Sequence, residues 1–301
     1  MTNELVLIKE SKVTALMEGS RDDDKLEASG VYAFGGHYYV VFDNEEVIAV
    51  IDDKSWSANG PGRISSNRFV GGAEKSEGVT LAPDGQRWVL VEEERLRSGD
   101  DKPSIRNGRV YEYLLSSGSD VLERVNRSWL PFNFKRRNKG FEGVSLVRHG
   151  GEEYLLALCE GNDCAGKSRG RRPGNGRIKV FIRDDDEFDY AASIDLPRSL
   201  PFIDFSGMDV RDGILALVSQ ESSALWVGKL DPEHWRVRDG GKVYTFPRER
   251  DGAVSYCNVE GVSWVDEKTL VVVSDARKVS EQPPSCAAKE QSIHVFRIPI
   301  H

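Results

Sequence analysis

The sequence has few of the features that mark membrane proteins and helical proteins. Its 301 residues contain no apolar run that approaches the roughly 20 residues needed to cross a bilayer. Apolar positions with the spacing of an amphipathic helix are also scarce. We therefore expect neither a membrane-spanning protein nor a helical bundle.

Positive charge is in deficit as well. The formal net charge is −8 at pH 7. Because phosphate backbones are bound by an excess of Lys and Arg, we expect no nucleic-acid partner. The segment Met1–Glu10 lacks the basic start and apolar centre of a signal peptide, which favours a cytoplasmic location.

Cysteine is rare, and the four cysteines do not have the spacing of a zinc site. Cys159 and Cys164 are close in sequence, but no second pair of Cys or His residues accompanies them. Reduced thiols are the expectation for a cytoplasmic chain. A Cys159–Cys164 bridge is the alternative.

What the sequence does contain is a short unit that occurs five times. Each copy places a serine or glutamate before a glycine at the start of an apolar run, and a second apolar run follows after a short turn. The copies are Ser29-Gly30, Glu77-Gly78, Glu142-Gly143, Ser206-Gly207 and Glu260-Gly261. Self-similarity of this kind predicts a propeller or a solenoid.

The strand pattern favours a propeller of five blades. The last repeat has only three apolar runs, whereas a blade has four strands, and the run near Leu5–Lys9 has no partner of its own. This run can complete the last blade and close the ring, which removes exposed sheet edges. We predict an all-β, five-bladed propeller in which residues 1–301 form a single domain.

Three long insertions separate the second and third strands of their blades, and in a propeller such loops emerge on one rim. They are Glu92–Arg109, Glu160–Arg177 and Ser274–Ser292. Long loops on one rim of a rigid scaffold are where function is usually found.

The repeated serines and glutamates predict a metal site. If each begins the innermost strand of its blade, the side chains converge, and the carboxylates repel one another unless a cation lies between them. Serine and carboxylate oxygens are hard ligands, which excludes a typical zinc or copper site, and calcium tolerates a pentagonal arrangement better than magnesium does. We predict calcium held by Ser29, Glu77, Glu142, Ser206 and Glu260, with a channel filled by water or sodium as the alternative.

The order Ser, Glu, Glu, Ser, Glu at equivalent positions of five blades resembles the calcium-activated nucleotidases, the apyrase family. The Ser/Glu-Gly-Val repeat is also similar to bacterial propellers grouped with the phytase-like esterases. The nucleotidase resemblance implies a calcium ion in the central tunnel and hydrolysis of nucleoside di- and triphosphates at its mouth. The chain departs from that family at Asp43-Asn44-Glu45, where the nucleotidases carry Asp-Asp-Arg, so only the first acid is retained.

Residues at the ends of the second strands, among them Asp43, Glu92 and Glu160, are expected to surround the metal. In a hydrolytic mechanism Asp43 or Glu160 would accept a proton from water, and Arg277 would stabilise the transferring group. Because the long loops add cations, a small anionic ligand or a phosphate-containing substrate is the expected partner.

Two functions remain open. The first is a calcium-dependent hydrolase of phosphoesters or phosphoanhydrides. The second is a non-catalytic propeller with a structural calcium, whose long loops bind a ligand or a protein. Glycoside hydrolysis would need two carboxylates at a fixed separation, which the sequence does not show.

Overall fold

The chain folds into five antiparallel sheets arranged as a ring, so the predicted all-β, five-bladed propeller is confirmed. The computed structural model describes residues 3–18, 20–21, 24–54, 56, 67–99, 102–116, 121–135, 139–276 and 282–299. The innermost strands follow one another around the axis, and that of blade five contacts that of blade one.

Each blade has four principal strands, which follow one another from the axis outward. Blade one contains Ala28–Phe34, His37–Phe42, Val47–Asp52 and Arg68–Gly71. Blade two contains Gly78–Leu81, Arg87–Gly99, Lys102–Leu114 and Glu123–Trp129. Blade three contains Phe141–His149, Glu152–Cys159, Arg177–Asp184 and Glu187–Asp195. Blade four contains Gly207–Arg211, Ile214–Ser219, Ala224–Asp231 and Lys242–Thr245, with the short Arg236–Val237 beside the third strand. Blade five contains Val259–Trp264, Thr269–Ser274, Ser292–Arg297 and Val6–Lys12.

The N-terminal strand closes the ring in the way that the sequence predicts. Val6–Lys12 pairs antiparallel with Ser292–Arg297 and forms the outer edge of blade five. Just before it, the N–H of Leu5 donates to the carbonyl of Thr245 in blade four at 2.9 Å. The N-terminal segment therefore connects the last two blades.

The hydrophobic core is divided into five clusters, and each lies between two neighbouring blades. Val40 and Ile51 of blade one, for example, pack with Val271 and Ile293 of blade five. The other four clusters fill the remaining interfaces around the ring. Because apolar faces are buried between blades, the axis itself is left to polar side chains.

The long insertions do not all form loops. The stretch Glu92–Arg109 extends blade two as a hairpin, since Arg87–Gly99 pairs with Lys102–Leu114. Among the described residues, four short helices lie outside the blades, at Val13–Leu16, Asn162–Cys164 (a 3₁₀ turn), Lys167–Gly170 and Pro284–Ala287. Over the part of the chain that the structure describes, no helix is both long and apolar enough to cross a membrane.

The expectation of four reduced thiols is wrong. Cys159 is bonded to Cys164, and Cys257 is bonded to Cys286. The first bridge is the alternative that the sequence left open. The second joins residues far apart in sequence, which spacing alone does not reveal. Disulfides are typical of oxidising compartments, so the cysteines no longer support a cytoplasmic location.

We expect the Cys257–Cys286 bridge to stabilise the fold by about 3 kcal/mol, because it closes a loop of 29 residues in the unfolded chain. Replacing both cysteines by serine should lower the free energy of unfolding by that amount in a denaturant titration. An unchanged midpoint and slope would show that the bridge contributes nothing to stability.

Candidate metal centre

Five glycines, one from each inner strand, meet around the axis. They are Gly30, Gly78, Gly143, Gly207 and Gly261. A Cβ built on any of them would lie within 3.3 Å of backbone atoms of the next glycine, and the last contact returns from Gly261 to Cα of Gly30 at 2.7 Å. Glycine is required here because no side chain fits between the inner strands. We call this closed set the glycine ring.

The residue before each ring glycine forms a β-bulge, because it has no pairing partner of its own on the second strand. In blade three, Phe141 pairs with Cys159 and Gly143 pairs with Leu158, which leaves Glu142 unpaired in the ladder. The register shifts at the same point in blades one and five. In blade two, the N–H of Glu77 donates to the carbonyl of Val91, which is also the pairing partner of Gly78. In blade four, Val218 is shared in the same way by Ser206 and Gly207. Such bulges redirect a side chain.

Three glutamates at these bulges share one electrostatic environment. Burial, followed by the charges of Glu77 and Glu160, raises the pKa of Glu142 well above its usual range. Burial and the charges of Asp275 and Glu77 do the same for the pKa of Glu260. Burial also raises the pKa of Glu77 to about 8. The negative charges of these three glutamates, each from a different blade, therefore repel one another, and a bound cation would reduce that repulsion.

A second group of carboxylates includes Glu142 and lies on the face of the propeller where the inner strands begin, which we call the mouth of the tunnel. One carboxylate oxygen each of Glu93, Glu142 and Glu160 lies within 4.8 Å of the others. Burial and the charge of Glu160 raise the pKa of Glu93 to about 7. Oε2 of Glu160 is buried without a hydrogen-bond donor. The separation equals about twice a calcium–oxygen distance, so these oxygens can surround one hard cation.

The two serines of the repeat join blades to each other. The hydroxyl of Ser29 donates to the carbonyl of Ser76, and that of Ser206 donates to the carbonyl of Val259 at 2.7 Å. Each acceptor immediately precedes a glutamate of the next blade. A hydroxyl that donates its hydrogen keeps its lone pairs, so a role for both serines as metal ligands stays a prediction.

The three predicted catalytic residues have different placements. Glu160 belongs to the carboxylate cluster with Glu142, and its other close partner is the ammonium group of Lys139. Asp43 follows the second strand of blade one, and its charge contributes to the raised pKa of Glu77. Arg277 lies outside the described residues.

Sequence reasoning missed Glu93 and chose its neighbour Glu92. In the structure Glu92 accepts a hydrogen bond from the hydroxyl of Tyr111 at 3.0 Å and pairs with Arg95. Adjacent residues of a strand point to opposite faces, so Glu93 faces the other way, towards Glu160. Strand alternation was the available signal. It could not be applied because the strand was expected to end before this point.

Arg97 and Arg109 of the long insertions lie over the ring of Trp129, but several other described arginines there pair with nearby acids. These pairs are Arg95–Glu92, Arg106–Glu94, Arg169–Asp163 and Arg171–Glu221. Exposed pairs of this kind contribute little to stability, but they balance the charge of the loops. The mouth of the tunnel is therefore more acidic than a count of loop cations suggests.

Comparison of the sequence with protein-family models and with curated proteins finds no match. Solved structures do match in fold. A GH43 β-xylosidase/α-arabinofuranosidase from a compost microbial metagenome, in a calcium-free form with xylotriose, has a TM-score of 0.51 at 11% identity and covers 97% of this chain and 94% of its own. A glutaminyl cyclase of Myxococcus xanthus has a TM-score of 0.48 at 11% identity, covering 99% and 98%. The calcium-binding regucalcin of Agrobacterium tumefaciens has a TM-score of 0.48 at 8% identity, covering 100% and 96%.

At such identities the similarity concerns the fold alone. None of these three structures is a nucleotidase or a phytase-like esterase, so the resemblance in sequence is not confirmed by them.

Proposed function

We propose that the protein binds calcium at the tunnel mouth and hydrolyses a phosphoester or phosphoanhydride there. The observation that carries the proposal is the position of Glu142. The charges of Glu77 and Glu260 contribute to its raised pKa, and one of its carboxylate oxygens lies within 4.8 Å of oxygens of Glu93 and Glu160. Buried carboxylates from several blades are costly to keep together unless a cation binds them.

The ligand types favour calcium. Carboxylate and hydroxyl oxygens suit hard cations, and no His or Cys side chain takes part in the carboxylate cluster. A site built from five blades offers ligands around a five-fold pseudo-axis, which calcium accepts more readily than magnesium. Glu77, Glu142 and Glu260 would hold the ion, with Glu93 and Glu160 on the side of the mouth.

The residues at the mouth have the properties needed for acid–base chemistry. Bound calcium would neutralise charge on a phosphoryl group. Burial raises the pKa of Glu160, and the ammonium of Lys139 offsets only part of that rise. Glu160 is therefore placed to accept a proton from water, and Glu93, with a pKa of about 7, can share that role near neutral pH.

Calcium binding is expected to remove a pH dependence of stability that the calcium-free protein shows. In calcium-free protein the pKa values of Glu77 (about 8) and Glu93 (about 7) lie above those of an unfolded chain, so the folded state binds protons more tightly. The stability from these protonated groups is fully present below about pH 4 and is lost as the pH rises through about 8. Melting temperatures measured in chelator should fall from pH 5 to pH 8.5, and saturating calcium should remove this fall.

The same linkage predicts that calcium binding releases protons at pH 7. Calorimetric titrations in two buffers with different ionisation enthalpies would measure that release. Identical heats in both buffers, together with parallel pH profiles with and without calcium, would contradict the proposed centre.

Hydrolysis is tested by incubating the protein with nucleotides and aryl phosphates, with calcium or with chelator. We expect calcium-dependent phosphate release that is lost in Glu160→Gln while calcium still binds. Glu152→Gln, which removes one exposed carboxylate of blade three outside the cluster, is the control for the loss of a carboxylate. Release that is equal in chelator would exclude the proposed mechanism.

The second candidate function is a non-catalytic binding propeller with a structural calcium. It is favoured by the pairing of the loop arginines with acids such as Glu94 and Asp163, which reduces the cations facing the mouth. Calcium-dependent melting without turnover of any phosphate compound would support this function over hydrolysis.

A further inference from the structure

A cavity of about 480 Å³ opens beside the carboxylate cluster, between blades two and three. Its wall includes Lys135, Lys139 and Arg169, with Asp163 as the acid and Phe132 as an apolar surface. Among the described residues, Lys139 pairs with Glu160 and Arg169 pairs with Asp163, so Lys135 leaves an excess of one positive charge at this cavity in a protein of net charge −8. We call it the basic cavity. Its volume lies in the range of small-molecule sites.

The basic cavity is joined to the proposed metal centre through Lys139. The ammonium of Lys139 lines the cavity and also pairs with Glu160. Glu160 in turn approaches Glu93 and Glu142 within 4.8 Å. A ligand bound in the cavity would therefore lie next to the carboxylates to which we assign acid–base chemistry.

The wall on the side of blade three is rigid. The Cys159–Cys164 disulfide fixes its start, and Asp163 and Cys164 adopt left-handed backbone with φ of 58° and 49°. The side-chain amide of Asn162, fully buried, donates to three backbone carbonyls, including that of Gly170, at 3.1 Å each. A strained backbone conformation persists only where the surrounding contacts fix it. The same contacts keep the residues of this cavity wall in position.

A second cavity, on the side of blades four and five, has the opposite character. Its volume is about 690 Å³, and its lining includes Glu221, Glu260 and Asp275 with Arg171 as the cation. An anionic group near the tunnel mouth would be repelled there and attracted to the basic cavity. The two cavities therefore give a bound molecule a preferred orientation.

We infer that the basic cavity binds a multiply charged oxyanion, of the charge class of a phosphate group, carried by a small molecule. This inference rests on the proposed function, because it names where the anionic part of the substrate is held. Lys135 and Arg169 supply charge from the rim, and Lys139 orients the group towards Glu160.

The test uses sulfate and phenylphosphonate, which has no phosphoester bond to hydrolyse, as probes of calcium-loaded protein, with binding measured by calorimetry. The double variant Lys135→Gln/Arg169→Gln should weaken binding of both probes at least tenfold. The control is Lys268→Gln, which removes one positive charge from an exposed turn of blade five. The control should bind as the wild type does, and the calcium affinity of the double variant should stay within about threefold of the wild-type value.

The outcomes separate this inference from the proposed function. Wild-type protein that binds no calcium would overturn the metal centre, whatever the probes do. Calcium binding that is intact, with probe binding unchanged in the double variant or weakened equally in Lys268→Gln, would overturn the basic cavity alone. Tighter binding of phenylphosphonate than of sulfate would support an oxyanion carried by a small molecule, whereas equal binding would overturn that part of the inference.

Discussion

Replacing Gly207 by alanine is expected to lower the free energy of unfolding by about 4 kcal/mol or more. A Cβ at this position would lie 2.2 Å from the carbonyl oxygen of Glu260 and 3.1 Å from Cα of Gly261. Both contacts are with backbone, so no side chain can rotate to make room. The inner strands of blades four and five would have to separate, and the glycine ring would open.

Gly240→Ala is the matched control, because a Cβ there meets no atom within 4 Å. Chemical denaturation of the two variants should show a large loss for Gly207→Ala and a change within about 0.5 kcal/mol for Gly240→Ala. Equal and small changes in both would mean that the inner strands do not pack as closely as described.

Replacing Glu142 by glutamine is expected to reduce calcium affinity at least 100-fold. Glu142 is the one carboxylate shared by the tunnel group and the mouth group among the described residues. At a calcium concentration of 100 times Kd, the wild type should gain about 2.7 kcal/mol, which corresponds to a rise in Tm of about 4 °C for a chain of this length. The variant should lose this gain.

The variant should also be more stable than the wild type in chelator at pH 8, because burial and neighbouring carboxylates disfavour the ionised form of Glu142, whereas glutamine has no ionised form. That increase distinguishes loss of a ligand from misfolding. Glu152→Gln, an exposed residue on the second strand of the same blade, should leave both properties unchanged. A Glu142→Gln protein that keeps the calcium-induced rise in Tm would remove Glu142 from the site.

The architecture could be predicted because its causes are local and repeated. Each Ser/Glu-Gly pair marks the point where an inner strand starts, and the missing strand of blade five could be assigned to the unpaired run near Leu5. The ring glycines were visible in the sequence, but the bulge before each depends on pairing with the second strand. Its presence in all five blades is known only from the structure.

The details of the mouth could not be predicted, for physical reasons. Glu93 was missed because the blade-two hairpin continues well past the expected strand end. Lys139 lies in the connection between blades two and three, where no periodic pattern shows what a side chain contacts. The Cys257–Cys286 bridge depends on two segments that come together only after blade five has formed.

The pairing of Val6–Lys12 with Ser292–Arg297 has a consequence for biosynthesis. Val6–Lys12 is synthesised long before its partner strand, so it stays without that partner while the intervening residues are made. Blades one to four can form during this time, but blade five cannot be completed until Ser292–Arg297 has been synthesised. A nascent chain stalled before residue 292 would carry an open edge on blade five, and that edge is where we expect chaperones to bind it.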